Sequence, residues 1–298
     1  RDRSKAEQFR RRFNGQRSYG TYDEAMTDPS VDAVVVAVPP RFHLELTLQA
    51  LQAGKHVLVE KPAFPRLADY HTVLAAKAEA RKVVLIGEND HYKPLAVCLR
   101  ALLKQGAIGE MVFGHFTTLV KKSKTADDWR NDETMAGGDA FFEEGIHWLH
   151  LAASLGPRIV RIAGFRPSPA VGGSDRRAKS MMVAFEYDNG AVGSLYYSRE
   201  VPSLFQGLRL SKLLGRGGII TFESNGLFVV VRGEGFPRVL FPGFRDIRGY
   251  QAMYRDFHRA IREGRSPAMN LELAMEDQRL MDRIYASLTG PGPLALLH

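Results

Sequence analysis

Three clusters of residues in this chain have the types and the spacing that chemistry could use. In Gly137-Gly138-Asp139-Ala140-Phe141-Phe142-Glu143-Glu144-Gly145-Ile146-His147-Trp148-Leu149-His150, Glu143 and His147 stand four apart. On a helix they share a face, so the carboxylate would orient the imidazole. An imidazole held in this way suits general acid–base work near neutral pH. Gly145 between them costs a helix roughly 1 kcal/mol relative to Ala, which asks for a reason such as close approach of a ligand. Two alternatives stand beside this reading: a capped helix with core histidines, and a cation held by Glu143, His147 and His150. The spacing is not His-Glu-x-x-His, so no metal is expected. The second cluster is Glu60-Lys61-Pro62, directly after the apolar run His56 to Val59. A lysine at a buried strand end projects into a crevice where burial and a substrate can tune it, and Glu60 could accept from a ribose or hold the lysine. The third is Val38-Pro39-Pro40-Arg41-Phe42-His43, where a strand-like run meets a helix start with its partial positive charge. Its plain alternative is a turn.

These clusters need elements to position them. Residues 4 to 13 have helical spacing at Ala6, Phe9 and Phe13, with Ser4 as the expected N-cap and Asn14-Gly15 as the stop. A small helix over Tyr22 to Met26 leads to the run from Asp32 to Pro39, which reads as a parallel strand covered on both faces. A helix over His43 to Ala53, a strand over His56 to Val59, a helix over Leu67 to Ala80 and a strand over Val83 to Ile86 follow. This βαβαβ alternation argues for a doubly wound α/β domain whose ligands sit at the carboxyl ends of its strands. After a helix over Leu95 to Gln105 the pattern changes to alternating strands at Met111 to Val120, Ser180 to Tyr187 and Ala191 to Ser198. The last two flank Asp188-Asn189-Gly190, a strong hairpin signal, and Ile219 to Phe222 with Leu227 to Val231 read as another pair. A helix containing Ile146 to Ala153 interrupts the strands, and helices over Tyr250 to Arg262 and Leu271 to Leu288 close the chain. The expected boundary lies near residues 92 to 94: residues 1–93 form the α/β domain, and residues 94–298 an α+β domain with a large, mostly antiparallel sheet.

Composition narrows the function. The 298 residues are 45% hydrophobic and 25% charged, which leaves room for two cores. The longest apolar run, Ala33 to Val38, is far short of the roughly 20 residues of a membrane span, so no membrane partner is expected. The single cysteine, Cys98, excludes an internal disulfide framework and a Cys-based zinc site, and with no signal-peptide pattern this favours the cytoplasm. A net charge of +8 suits an anionic ligand such as a dinucleotide, or nucleic acid. The basic clusters Arg10-Arg11-Arg12 and Lys121-Lys122-Ser123-Lys124 come with no helix-turn-helix or aromatic-rich binding strand, so nucleic acid is not expected. Gly215-Arg216-Gly217-Gly218 runs into a strand-like stretch and fails as a phosphate loop.

Taken together, the run Asp32 to Pro39, Ala53-Gly54-Lys55-His56-Val57-Leu58-Val59-Glu60-Lys61-Pro62, Gly106-Ala107-Ile108-Gly109-Glu110 and Gly137-Gly138 to His147 resemble the Gfo/Idh/MocA family of NAD(P)-dependent oxidoreductases. The resemblance implies a Rossmann-type parallel sheet and hydride transfer between a nicotinamide cofactor, NAD or NADP, and a hydroxyl-bearing carbon of a sugar, polyol or similar cyclic alcohol. It implies that Lys61 hydrogen-bonds the reacting oxygen, that His147 accepts the proton, and that Glu143 stands where the family usually has Asp. Val38, Pro39, Pro40 and His43 match the segment lining the nicotinamide side of the cofactor, together with Glu60. Trp129-Arg130 resembles a pair that some members place near the cofactor amide or the substrate. Glu88-Asn89 with His91-Tyr92 follows the next strand and should reach the same cleft, Asn89 toward cofactor and His91 and Tyr92 toward substrate. His150 stands where a second acidic residue is frequent. The small-molecule partner is thus a sugar-like alcohol, and a homodimer or homotetramer is the family's common assembly.

The Gly-rich turn that carries pyrophosphate in this family, with its strand and helix, is not among the 298 residues. A truncated, partial Rossmann-type sheet is therefore expected, about 30 to 35 residues short of a complete unit, with the run Ala33 to Val38 deprived of a neighbour. Such a chain should hold the chemistry but bind its cofactor poorly. Arg1 and Arg3 lie where a 2′-phosphate would be read, a slight pointer to NADP. Two other functions share these motifs: a non-catalytic dinucleotide sensor and an NAD-dependent glycosidase.

Overall fold

The β-branched runs form strands and the amphipathic stretches form helices, in a computed structural model that describes residues 2–121, 128–167, 179–202 and 207–289. Arg1, Lys122 and Lys124, noted above, lie outside the described residues. The first layer holds α1 (Arg3–Arg12), α2 (Tyr22–Thr27), β1 (Ala33–Val36), α3 (His43–Gln52), β2 (His56–Glu60), α4 (Leu67–Ala80) and β3 (Val84–Gly87). The three strands are parallel, in the order β1-β2-β3. The N-cap of α1 is Asp2, which accepts from Lys5 N at 3.0 Å, and not Ser4, so the cap lies two residues earlier than expected.

Two-sided cover holds for β2 and β3, whose central residues are buried, but not for β1. Val35 is 44% exposed because β1 lies at the edge of the described sheet. Helix α1 likewise buries none of its residues, and Phe9 and Phe13 both stand out to solvent.

α5 (Pro94–Lys104) leads to a second sheet made of β4 (Met111–Leu119), β5 (Ile159–Phe165), β6 (Ser180–Tyr187), β7 (Val192–Ser198), β8 (Leu210–Gly215), β9 (Gly218–Glu223), β10 (Val229–Arg232) and β11 (Arg238–Leu240). The order is β11-β10-β9-β8-β4-β7-β6-β5, and every pairing is antiparallel except β4 with β7. Gly215 and Gly218 face each other at the β8–β9 turn, which explains the glycine run there as a hairpin and not a phosphate cradle. Between β4 and β5 lie α6 (Glu133–Ala136), a π-helical turn over Phe141–Gly145, and α7 (Ile146–Ala153). The chain ends its described part with α8 (Tyr250–Glu263) and α9 (Leu271–Thr289).

Each sheet has its own core. Val57, Leu58, Val84, Leu85 and Tyr70 centre the first, and Phe116, Phe185, Phe222, Leu149 and Leu195 the second. Helix α8 and the first part of α9 return to the first core through Met253, Phe257, Leu271 and Met275, while Leu280, Met281 and Ile284 of α9 enter the second.

Candidate active site

Lys61 leaves β2 at its carboxyl end, where side chains of a parallel sheet meet ligands, and is followed by a cis peptide to Pro62. Its ammonium donates to Glu143 O at 2.9 Å and to Glu143 Oε1 at 3.2 Å. Two donors are thereby used, and an ammonium carries three. The loop beyond Lys61 packs against the turn that carries Glu143. A Cβ on Gly137, whose φ is +81°, would sit 2.7 Å from Pro65 Cγ, and one on Gly138 would sit 2.6 Å from Phe142 Cγ. The glycine pair is therefore a packing requirement.

The π turn changes what the four-residue spacing promised. An extra residue in that turn takes Glu143 off the α-helical register, and its carboxylate goes to basic partners instead of His147. Besides Lys61, Arg199 donates to Glu143 Oε2 at 2.6 Å and to Glu144 Oε2 at 2.6 Å, and Arg130 Nε lies 4.0 Å from Glu143 Oε1. His147 is held by Glu88, Nδ1 to Oε1 at 2.6 Å. The expectation that Glu143 orients the imidazole is corrected on this point, and so is the suggested cation site, since Glu143, His147 and His150 each turn to different partners.

Gly145 is explained by its own helix. A Cβ there would lie 2.3 Å from Phe141 Cδ2, and the Phe141 ring is 1% exposed and packed edge-on against Tyr197, so it has nowhere to go. The close approach is a phenyl ring, not a ligand. Gly145→Ala should lower stability by about 1–3 kcal/mol as an overpacking change, at about 2–4 °C of Tm per kcal/mol for a chain of this size. Turnover should fall further than the melt implies, because the displaced ring belongs to the turn that carries Glu143. A thermal melt and kcat on one preparation measure both effects.

Other expected site residues divide clearly. Val38 and Pro39 line a cavity of about 710 Å³ beside Tyr22, Phe42, Leu46 and Met135. Pro40 is buried at the start of a 3-10 turn over Pro40–Phe42. His43, 1% exposed, lies inside the protein: its Nε2 is 2.7 Å from Val38 O and its Nδ1 2.9 Å from Ala63 O. Burial lowers its pKa, with those carbonyls opposing. It ties the end of β1 to the loop after Lys61 and leaves no ring nitrogen for a cofactor. Glu60 stays beside Gly87, and the lysine it was expected to hold goes to Glu143. Burial raises its carboxyl above the ordinary value. Arg130 pairs with Asp128 at 2.9 Å and lies 5.3 Å from the centre of the partly exposed Trp129 ring, so this pair stands at the mouth of the site.

The segment after β3 turns inward more than its position suggested. The Asn89 amide donates to Arg248 O at 2.7 Å and to Asp90 Oδ1 at 3.1 Å. Tyr92 donates to Asp256 Oδ2 at 2.8 Å and accepts from Met269 N. His150 is 2% exposed, with Nδ1 2.7 Å from Asp277 Oδ2 and Nε2 2.9 Å from His91 Nδ1. Burial works against charge on His150, but the Asp277 carboxylate outweighs it and raises the imidazole. Burial, with His150 alongside, pushes His91 down to about 3. The Asn89 amide nitrogen, the Tyr92 hydroxyl and both ring nitrogens of His150 are thus engaged within the protein. His91 Nε2 has no hydrogen-bond partner among the described residues. Sequence reasoning gave no particular role to Glu88, Arg199 or Asp277. Only Glu88, at the end of a buried strand, carried a usable positional signal.

Comparison with known proteins agrees with this architecture. Residues 1–88 match the family model described as oxidoreductase family, NAD-binding Rossmann fold, and residues 97–211 match the GFO/IDH/MocA C-terminal domain. The D-xylose 1-dehydrogenase (NADP(+)) of Hypocrea jecorina is 40% identical over 160 residues, 49% of this chain and 40% of that protein. The trans-1,2-dihydrobenzene-1,2-diol dehydrogenase of Xenopus tropicalis is 32% identical over 229 residues, 76% of this chain and 66% of that protein. The chain thus spans less than half of the first relative's length and about two thirds of the second's. The crystal structure of aldose-aldose oxidoreductase from Caulobacter crescentus, complexed with glycerol, superposes with a TM-score of 0.85 at 22% identity, covering 96% of this chain and 87% of that one. With residues 1–88 and 97–211 matched in order by the family's two domain models, the protein belongs to the GFO/IDH/MocA oxidoreductase family.

Proposed function

We propose that the protein transfers a hydride between a nicotinamide dinucleotide, NAD or NADP, and a hydroxyl-bearing carbon of a neutral sugar, polyol or similar cyclic alcohol. The observation that carries this reading is the meeting of Lys61 and Glu143 across the two sheets at 3.2 Å, with His147 one turn further along. The cavity of about 710 Å³ at Val38 and Pro39 falls in the usual 300–1,000 Å³ of ligand pockets and fits one end of a dinucleotide. Residues 1–93 would hold the cofactor, and residues 94–298 the substrate.

When bound, the nicotinamide supplies a hydride acceptor at its C4. Lys61 offers its third N–H to the substrate oxygen and stabilises it as negative charge develops. His147 takes the hydroxyl proton. Glu143 keeps the ammonium aimed, and Arg199 keeps Glu143 from swinging away. Charges at the site already have opposite partners: Lys61 and Arg199 with Glu143, Lys93 with Asp90, and His147 with Glu88. That balance favours an uncharged substrate. A homodimer or homotetramer, formed in the cytoplasm, goes with the reading, and the exposed Phe113, Val192 and Tyr196 give the second sheet an apolar outer face of the kind subunits cover.

The test is a screen of the protein with NAD⁺ and NADP⁺ against polyols and sugars, followed by the absorbance of reduced nicotinamide. Turnover of a neutral polyhydroxy substrate is expected. EDTA should leave the rate unchanged: Glu88, Asp90 and His147 bring ligand atoms within 4.8 Å of one another, but they are engaged with each other and with Lys93. Absence of both cofactor binding and turnover across the panel would overturn the reading.

A further inference from the structure

Glu88 is the first residue past β3 and is 2% exposed. A buried carboxylate is costly unless it is bonded, and its partners here are set by the fold. Its Oε1 accepts the Asp90 N–H at 3.0 Å and faces His147 Nδ1 at 2.6 Å. Gly87 makes the arrangement feasible, since a Cβ there would meet Glu60 Cα at 3.0 Å. The carboxyl ends of β2 and β3 therefore close up, with Glu60 and Lys61 on one and Glu88 on the other.

Burial pushes the Glu88 carboxyl up, but the His147 charge and hydrogen bond outweigh it and hold the group at about 2. At neutral pH it is a carboxylate, which only accepts hydrogen bonds. The proton between the two side chains then belongs to His147 Nδ1, so that in the neutral imidazole Nε2 is the nitrogen free to accept.

We propose that Glu88 is the positioning residue of the catalytic histidine: it fixes His147 in the Nδ1–H tautomer, presents Nε2 to the substrate hydroxyl, and stabilises the imidazolium that forms there. The proposal rests on the reading of His147 as proton acceptor. In the oxidation direction the hydroxyl O–H bond breaks and its proton joins His147 Nε2. The C–H bond breaks with its electron pair leaving as hydride for nicotinamide C4, and the carbon–oxygen double bond forms. Glu88 keeps its charge and gains no proton. The charged groups around the pair are Asp90, 4.0 Å from Nδ1 and held by Lys93 at 2.6 Å, with Glu60, Lys61 and His150 at longer range.

Glu88→Gln keeps the shape and removes the charge. Its kcat should fall about 100-fold, with KM and dinucleotide Kd within about threefold of the parent. The acid limb of kcat/KM should move to lower pH, because the charge favouring the imidazolium is gone. Glu88→Asp should recover part of the rate. Nitrogen-15 spectra of the protein with dinucleotide bound should show His147 protonated at Nδ1 and bare at Nε2. The opposite tautomer overturns the proposal whether or not a variant folds. An unchanged rate and pH limb in Glu88→Gln, beside an inactive His147→Ala, overturns it and leaves the role of His147 intact. A fully active His147→Ala overturns the reading beneath it.

Discussion

His147→Ala is expected to lower kcat by about 10²–10⁴-fold, the usual contribution of a positioned general acid–base group. The loss should fall on kcat more than on KM, because the imidazole acts on a proton that moves as the hydride leaves and not on the resting hydroxyl. The variant should fold. His147 lies at the partly exposed start of α7, while the buried residues Ile146, Leu149 and Leu151 on the same helix make its core contacts. It does leave Glu88 buried without its main partner, so a modest loss of stability is expected toward neutral pH. That loss should shrink in acid. The parent carboxyl is held at about 2 against an ordinary 4.5, so its pairing stabilises the fold above about pH 4.5 and is lost as pH falls toward 2. Steady-state kinetics and melts at two pH values separate the catalytic effect from the structural one.

Lys61→Met is the second large effect, about 10²–10³-fold in kcat, the range found when one donor to a developing oxyanion is removed. Methionine keeps most of the apolar stem, so the change isolates the ammonium. Stability should hardly move. Glu143, which loses Lys61, still receives Arg199 at 2.6 Å, and the Lys61 side chain is only partly buried. A lysine that merely tied the two sheets together would behave in the opposite way, with a lower Tm and a near-normal kcat in the surviving fold. Measuring kcat and Tm on one preparation distinguishes the two.

Local patterns carried much of the fold. The Asn189-Gly190 hairpin between β6 and β7 and the long helices α4, α8 and α9 all lie within a residue or two of where spacing put them, while the strand read over Asp32 to Pro39 is the shorter Ala33–Val36. Strands β5 and β8 were not legible, because Ile159–Phe165 contains Arg161 and Gly164 and Leu210–Gly215 ends in Leu-Leu-Gly, so neither alternates cleanly. The valine run alone read β1 as covered on both faces, whereas its edge position agrees with the expectation that Ala33 to Val38 lacks a neighbour. Whether a valine is buried depends on the neighbour that packs on it, which its own sequence does not encode.

The site divides along the same line. Lys61 and His147 were legible because each sits at a strand end or on a helix face that can be counted. Their partners were not. Glu88 lies 59 residues from His147 and Arg199 lies 56 from Glu143, separations that helical periodicity cannot bridge. The π turn over Phe141–Gly145 also shifted the one pairing that counting did offer.

Helix α9 has 19 residues, and near its middle Asp277 is bonded to His150 of α7 at 2.7 Å. One end of this rod is embedded in the first core and the other in the second. Swinging one sheet away from the other would pull half the helix out of its apolar seat and break a buried ionic contact at the pivot. The width of the cleft is therefore a fixed dimension of the molecule.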